Sequence, residues 1–423
     1  MSHPTAAATP PPGGHAAALA ARYPRHVNAA RLYGPAASSD ELAGLYRRLR
    51  AAHGAVAPVL LDGDLPAWLV LGYREARFVA SRGDLYDRNS KRWNAWDLVP
   101  PDWPLLPAVG DGDSVPWVEG AEHERRSEAV HDVLAAVDLF ELRSQCEKIA
   151  DELVDAFADD GHAELMYQFA HRMSTRVIAM ILGIPAWDIP SMMRDLVTVL
   201  EQGSDALAAY GRIMALLRRL VCERRKQPGF DVISRLVTHR AGLTDEEAVQ
   251  DLVVLVLGGP QPTAHWIGNT LRLLLSDSRF ATTLAGGRRS VGQAMAEVLW
   301  EDPPTATLTG RWAVRAGQLG GEHIQAGDML LIGVAAANTD PAIRPDQAAG
   351  AGGNQAHLAF GHGHHRCPLP AQEFAEAIAE SAVGVLLDRL PDVTLAGPVT
   401  DLVWSPAIWV RGLVALPVTF TPA

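Results

Sequence analysis

From Val249 to Leu275 apolar side chains fall on nearly every face of a helical projection. Such a helix is buried all round, so the rest of the chain must wrap a large helical body about it. Thr244 stands before the run as an N-cap, with Glu247 at the capping-box position. The run is interrupted by Gly258-Gly259-Pro260-Gln261-Pro262-Thr263. Two prolines remove backbone N–H groups and predict a kink with an opening beside it. No apolar stretch is long enough and charge-free enough to span a bilayer.

The remaining composition is that of a globular chain: 423 residues, 48% hydrophobic and 20% charged. The 3 cysteines, Cys146, Cys222 and Cys367, are widely spaced and odd in number. They form no disulfide framework and suit a reducing cytosol, so the expected location is cytoplasmic. A net charge of −12 argues against a nucleic-acid partner. Residues 1–24 are rich in Ala, Pro and Gly, lack signal-peptide features and read as a disordered leader. Residues 25–423 show no internal repeat or linker and read as one domain.

Ser39-Asp40-Glu41 opens a helix running to about His53. Val56–Leu61 and Ala67–Leu71 read as strands. Asp84–Glu119 is loop-like, with four prolines between Pro100 and Pro107 and tryptophans at 93, 96, 103 and 117. Helical patterns fill Gly120 to Ser276, and short strands return after Pro303. Pro368 and Pro370 precede a last helix with Phe374, Ile378, Ala382 and Val385 on one face.

Just before that helix lies Phe360-Gly361-His362-Gly363-His364-His365-Arg366-Cys367. Gly361 and Gly363 let backbone approach something flat and large. A thiolate offered this way is a recognised axial ligand of heme iron. The run resembles the cytochrome P-450 signature Phe-Gly-x-Gly-x-His-x-Cys at every fixed position. The resemblance covers about residues 25–423 and implies a mainly α, triangular P-450 fold with a small β-rich region. It implies heme b held by Cys367, Phe360 shielding the sulfur, and propionate contacts from His123, Arg311 and His365. Leu369 replaces a family glycine, and its backbone N–H is the donor left near the sulfur between Pro368 and Pro370.

Other positions depart from the family pattern. The Glu-x-x-Arg helix reads Glu297-Val298-Leu299-Trp300, and the second arginine of that network aligns with Gly352. Glu297 then needs another donor, for which His357 and the Trp300 indole are candidates. Over the iron, Gly259, Gln261 and Pro262 stand where the family has Gly, an acid and an alcohol, so the proton relay is expected to fail unless Thr263 or water substitutes. One helical turn after His123 the family arginine is Ser127, while Arg125 and Arg126 point elsewhere.

By family position, Trp93, Trp96, Val199, Leu255, Gly258, Thr307, Ile408 and Trp409 are expected to face substrate. The leading expectation is heme-thiolate oxidation of a small secondary metabolite, with O2 and two electrons from ferredoxin and ferredoxin reductase. The altered relay leaves two alternatives: oxidative C–C or C–N coupling of aromatic substrates such as tryptophan-containing cyclic dipeptides, or heme binding without turnover. Arg366, His362 and His364 make the cysteine side basic, which suits an acidic redox partner.

Overall fold

The structure, a computed structural model, describes residues 14–32, 39–109, 113–200, 205–277, 280, 289–345 and 354–422. Its centre is the helix pair Asp245–Gly258 and Pro260–Ser276, which meet at Gly259. Thr244 and Glu247 form the expected capping box. At the junction Gly259 donates to the Leu255 carbonyl at 3.1 Å and Thr263 to the Gly259 carbonyl at 3.3 Å. Pro260 and Pro262 can donate nothing there, which bends the run. Ala264, Ile267, Leu271 and Leu274 are buried among the helices His171–Leu182, Arg289–Glu301 and Leu369–Arg389. This is the all-round burial that the sequence pattern required.

A six-stranded sheet lies to one side, in the order Ala30–Arg31, Val56–Leu61, Leu65–Val70, Met329–Gly333, Thr307–Ala313, Tyr86–Asp87. Val56–Leu61 and Leu65–Val70 form an antiparallel hairpin, and the latter pairs in parallel with Met329–Gly333. Along Thr307–Ala313 the register slips between Leu308 and Arg311, which oppose Ile332 and Leu330. Ile332 and Leu330 share one face, so the extra residue puts Leu308 and Arg311 on one face as well. Gly310, at φ +55°, supplies the backbone conformation at the slip. The bulge therefore aims an arginine at the interior of the molecule.

Two expectations change. The segment read as a disordered leader holds the helix Gly14–Arg22, while residues 1–13 lie outside the described residues. Leu19 and Tyr23 are buried in the sheet-side core, and Arg22 pairs with Asp97 at 2.5 Å, so tertiary contacts order an alanine-rich run. The described part of the Asp84–Glu119 segment is held in place by its tryptophans. Trp93 packs on Trp96 and Trp103 with ring centroids 5.2 and 5.8 Å apart, and the Trp96 indole donates to the Ser90 carbonyl. Trp93 and Trp96 are core residues rather than substrate contacts. Among the described residues no helix is long and apolar enough to cross a membrane.

Candidate functional site

The cysteine loop closes on itself before the last helix begins. Gly361 donates to Leu358 at 2.8 Å, and Cys367 donates to the Phe360 carbonyl at 2.9 Å. Gly361 and Gly363 take φ of +75° and +76°. A Cβ on Gly363 would stand 2.4 Å from the Ala80 carbonyl oxygen, so only glycine lets the loop lie on the helix Tyr73–Ser81. The Gln372 side chain donates to the Cys367 carbonyl at 2.6 Å, tying the loop to the first turn of Leu369–Arg389. Cys367 opens on a cavity of about 500 Å3. Burial pushes its thiol up to about 12. Leu369 turns its side chain to solvent.

The kinked helix forms the facing wall. Leu255, Gly258, Gly259, Pro262, Thr263 and Trp266 line the cavity. Trp266 meets the Phe360 ring edge-on at 5.9 Å, so the two walls touch at one end. The Thr263 hydroxyl donates to the Gly259 carbonyl at 2.8 Å. Gln261 does not line the cavity; two residues from Thr263 on a helix, it faces the opposite way, toward His171. Burial lowers His171 to about 4. Val199, Thr307 and Trp409 line the cavity as expected, whereas Ile408 packs into the sheet-side core.

The polar end of the cavity holds His123, His365, Arg311 and a residue that sequence reasoning missed, Arg88. The His123 and His365 rings lie 4.0 Å apart. Arg88 donates to the carbonyls of Pro116 and Thr309 and sits 4.2 Å from the centre of the Trp117 ring. Burial, and then the neighbouring Arg311, lower the Arg88 guanidinium well below its ordinary value. Arg311 is lowered to about 10, chiefly by burial. Ser127 also lines this end, so the expected arginine position does point inward but carries no charge. Arg88, 39 places earlier in the chain, brings the cation instead. Arg125 and Arg126 are turned away: Arg125 pairs with Glu247, and Arg126 with the buried Asp251 at 2.5 Å.

Glu297 is buried, but neither His357 nor the Trp300 indole serves it. Arg344, from the chain between the sheet and the cysteine loop, is a partner at 3.3 Å. Arg344 also lies 5.3 Å from the centre of the Trp300 ring. The Trp300 indole donates to the Asn354 carbonyl at 2.7 Å. Asn338 bridges the Leu299 carbonyl and the Leu358 N–H at 2.9 and 2.8 Å. The altered helix is thus pinned to the cysteine loop. The aligned Gly352 lies outside the described residues.

No family model matches the chain. It is 32% identical over 397 residues to the cytochrome P450 monooxygenase PikC of Streptomyces venezuelae, covering 88% of this chain and 89% of that protein. The chain is a cytochrome P450. It is also 28% identical to the polyketide biosynthesis cytochrome P450 PksS of Bacillus subtilis, over 71% of this chain and 76% of PksS. The structure of CYP154C4 from Streptomyces sp. W2061 matches with a TM-score of 0.85 and 26% identity, over 92% of this chain and 97% of that one. As a P450 it is a heme b oxidoreductase, and its residues fit that group. Arg311 Nε and Nη1 and the Nδ1 of His365 are buried without a hydrogen-bond partner, as a site for carboxylates requires. The Cys367 thiol has no charged side chain holding its proton off, so iron would have to displace it.

Arg88 supplies a test of this pole. A charge-assisted hydrogen bond contributes roughly 1.5–3 kcal/mol. Arg88→Met in the P450 should therefore speed heme transfer to a competing apoprotein by about tenfold or more. Adding Ser127→Arg should recover much of the loss. Unchanged transfer would place Arg88 outside the propionate contacts.

Proposed function

We propose that this P450 monooxygenates a neutral, largely apolar secondary metabolite of polyketide type. The observation that carries the reading is the cavity wall facing Cys367. Val115, Ile178, Val199, Leu255, Pro262 and Val410 make it apolar. Asp251, the one acid among the described lining residues, is held by Arg126 and by the Val115 N–H at 2.7 Å. A charged substrate would therefore meet no counter-charge away from the heme-carboxylate end. Trp409 lines the cavity and its buried Nε1 has no internal acceptor, which favours a substrate with a hydroxyl or carbonyl oxygen. The names of PikC and PksS, a monooxygenase and a polyketide-biosynthesis P450, point the same way.

When bound, heme supplies the centre for O2 activation and one-electron chemistry. The chain does the rest. Cys367 would be the ligand from the protein, and His123, Arg311, His365 and Arg88 would hold the carboxylates. Apolar walls exclude water from the reacting face. Thr263 keeps its hydroxyl on the Gly259 carbonyl, and Pro262 and the averted Gln261 offer no acid or hydroxyl, so proton supply falls to water at the kink. Exposed Arg366, with Arg77 reaching His362 at 3.4 Å, gives the cysteine side a basic surface for an acidic ferredoxin, itself reduced by ferredoxin reductase.

The test is a binding screen followed by turnover. Neutral polyketides should shift the Soret band and, with ferredoxin, reductase and NADPH, gain one oxygen atom. A response confined to aromatic cyclic dipeptides, with joined products lacking added oxygen, would establish the coupling reading instead. Soret shifts with no NADPH consumption above the substrate-free rate would establish heme binding without turnover.

A further inference from the structure

We propose that Glu119, His364 and His365 form a divalent-cation site at the solvent edge of the heme cavity, suited to an ion of the zinc class. Three ligand atoms, one from each residue, all lie within 4.8 Å of one another. Glu119 Oε1 is 3.0 Å from His365 Nε2, and Glu119 Oε2 is 3.5 Å from His364 Nε2. A zinc ion with bonds of about 2.0–2.2 Å holds neighbouring ligand atoms roughly 3.0–3.5 Å apart. The two contacts run to different oxygens of Glu119, and the three side chains are close enough to draw in around a common centre.

The contact to His365 is close but poorly aligned for a hydrogen bond. Both nitrogens of that ring are buried without a hydrogen-bond partner, so Oε1 stands off the Nε2 axis. Two ligands of one ion stand in this relation, since each aims its lone pair at the ion rather than at the other. The second nitrogen, Nδ1, remains for a heme carboxylate.

Each ligand is positioned by something outside the trio. Glu119 Oε1 accepts the Arg88 N–H at 2.8 Å. His365 stacks on His123. The His364 ring lies where a Cβ on Gly83 would come within 3.1 Å of its Cε1, so the glycine makes room for it. The His364 side chain is 46% exposed and that of His365 2%, which gives the site one open side and one dry side. Two imidazoles and a carboxylate with an open side match the donor set of a three-ligand zinc site. The inference is independent of the proposed substrate.

The test uses tag-free, heme-loaded Cys222→Ser protein, so that the exposed thiol does not compete, and Zn2+ alone, titrated against a chromogenic chelator. One equivalent should bind. His364→Ala and Glu119→Gln should each weaken binding by about tenfold or more. Cu2+ at the same site should show nitrogen hyperfine coupling from two imidazoles, and from one in His364→Ala. His364→Ala should keep its heme, which separates loss of the ion from misfolding. No saturable binding, or binding equal in both variants and the parent, would overturn the proposal.

Discussion

Cys367→Ala should abolish the red-shifted Soret band that reduced protein gives with carbon monoxide, and should lower heme content sharply. The thiol is the one cysteine sulfur that opens on the cavity, since Cys146 is buried in the helical core and Cys222 is exposed elsewhere. Alanine keeps the turn, because the loop is closed by the backbone bond from residue 367 to Phe360 and by Gln372 on the residue 367 carbonyl. What is lost is the ligand rather than the fold. Cys146→Ala and Cys222→Ala should keep the band. A Cys367→Ala protein with heme and a thiolate spectrum would remove Cys367 as the ligand.

The second large effect belongs to Arg344. Arg344→Ala removes a guanidinium that holds the buried Glu297 carboxylate at 3.3 Å, and a charge-assisted hydrogen bond of this kind contributes about 1.5–3 kcal/mol. Thermal unfolding of the heme-loaded protein should shift down accordingly, and part of the thiolate band should be lost as the cysteine loop loosens. Trp300 is three residues after Glu297 on the same helix, so an arginine there can reach the carboxylate. Trp300→Arg should therefore partly rescue Arg344→Ala. In the parent protein the same change should destabilise, because it sets a second cation beside Arg344. That sign reversal separates charge pairing from simple packing. Additive losses in the double variant would mean that Arg344 acts only by filling space.

The parts legible in the sequence were those set by local rules. The capping box at Thr244 and Glu247, the kink at Pro260 and Pro262, the helix Ser39–His53 and the glycine-shaped cysteine loop each depend on a few neighbouring residues. The sheet hairpin was nearly placed, with its second strand starting at Leu65 instead of Ala67. The parts that escaped are pairings between distant segments. Nothing near Ser127 indicates that Arg88 fills its place, and nothing near Glu297 points to Arg344, 47 residues on. Family position misled for Trp93 and Trp96 because two neighbouring indoles stabilise each other in a core as readily as they face a ligand. For Gln261 the helical period was decisive: Thr263 and Gln261 cannot both look into the cavity.

The bulge between Leu308 and Arg311 bears on how this segment can evolve. Most single replacements along Thr307–Ala313 alter one contact. Losing one codon at Thr309 would instead make Leu308 and Arg311 next-but-one neighbours, remove the bulge and leave Arg311 opposite Leu330 on the same face of the sheet. Selection here acts on the arginine and the face it occupies more than on the length of the strand. Homologous chains are expected to carry either two residues here with glycine at the Gly310 position, or one residue and no bulge, with the arginine facing inward in both.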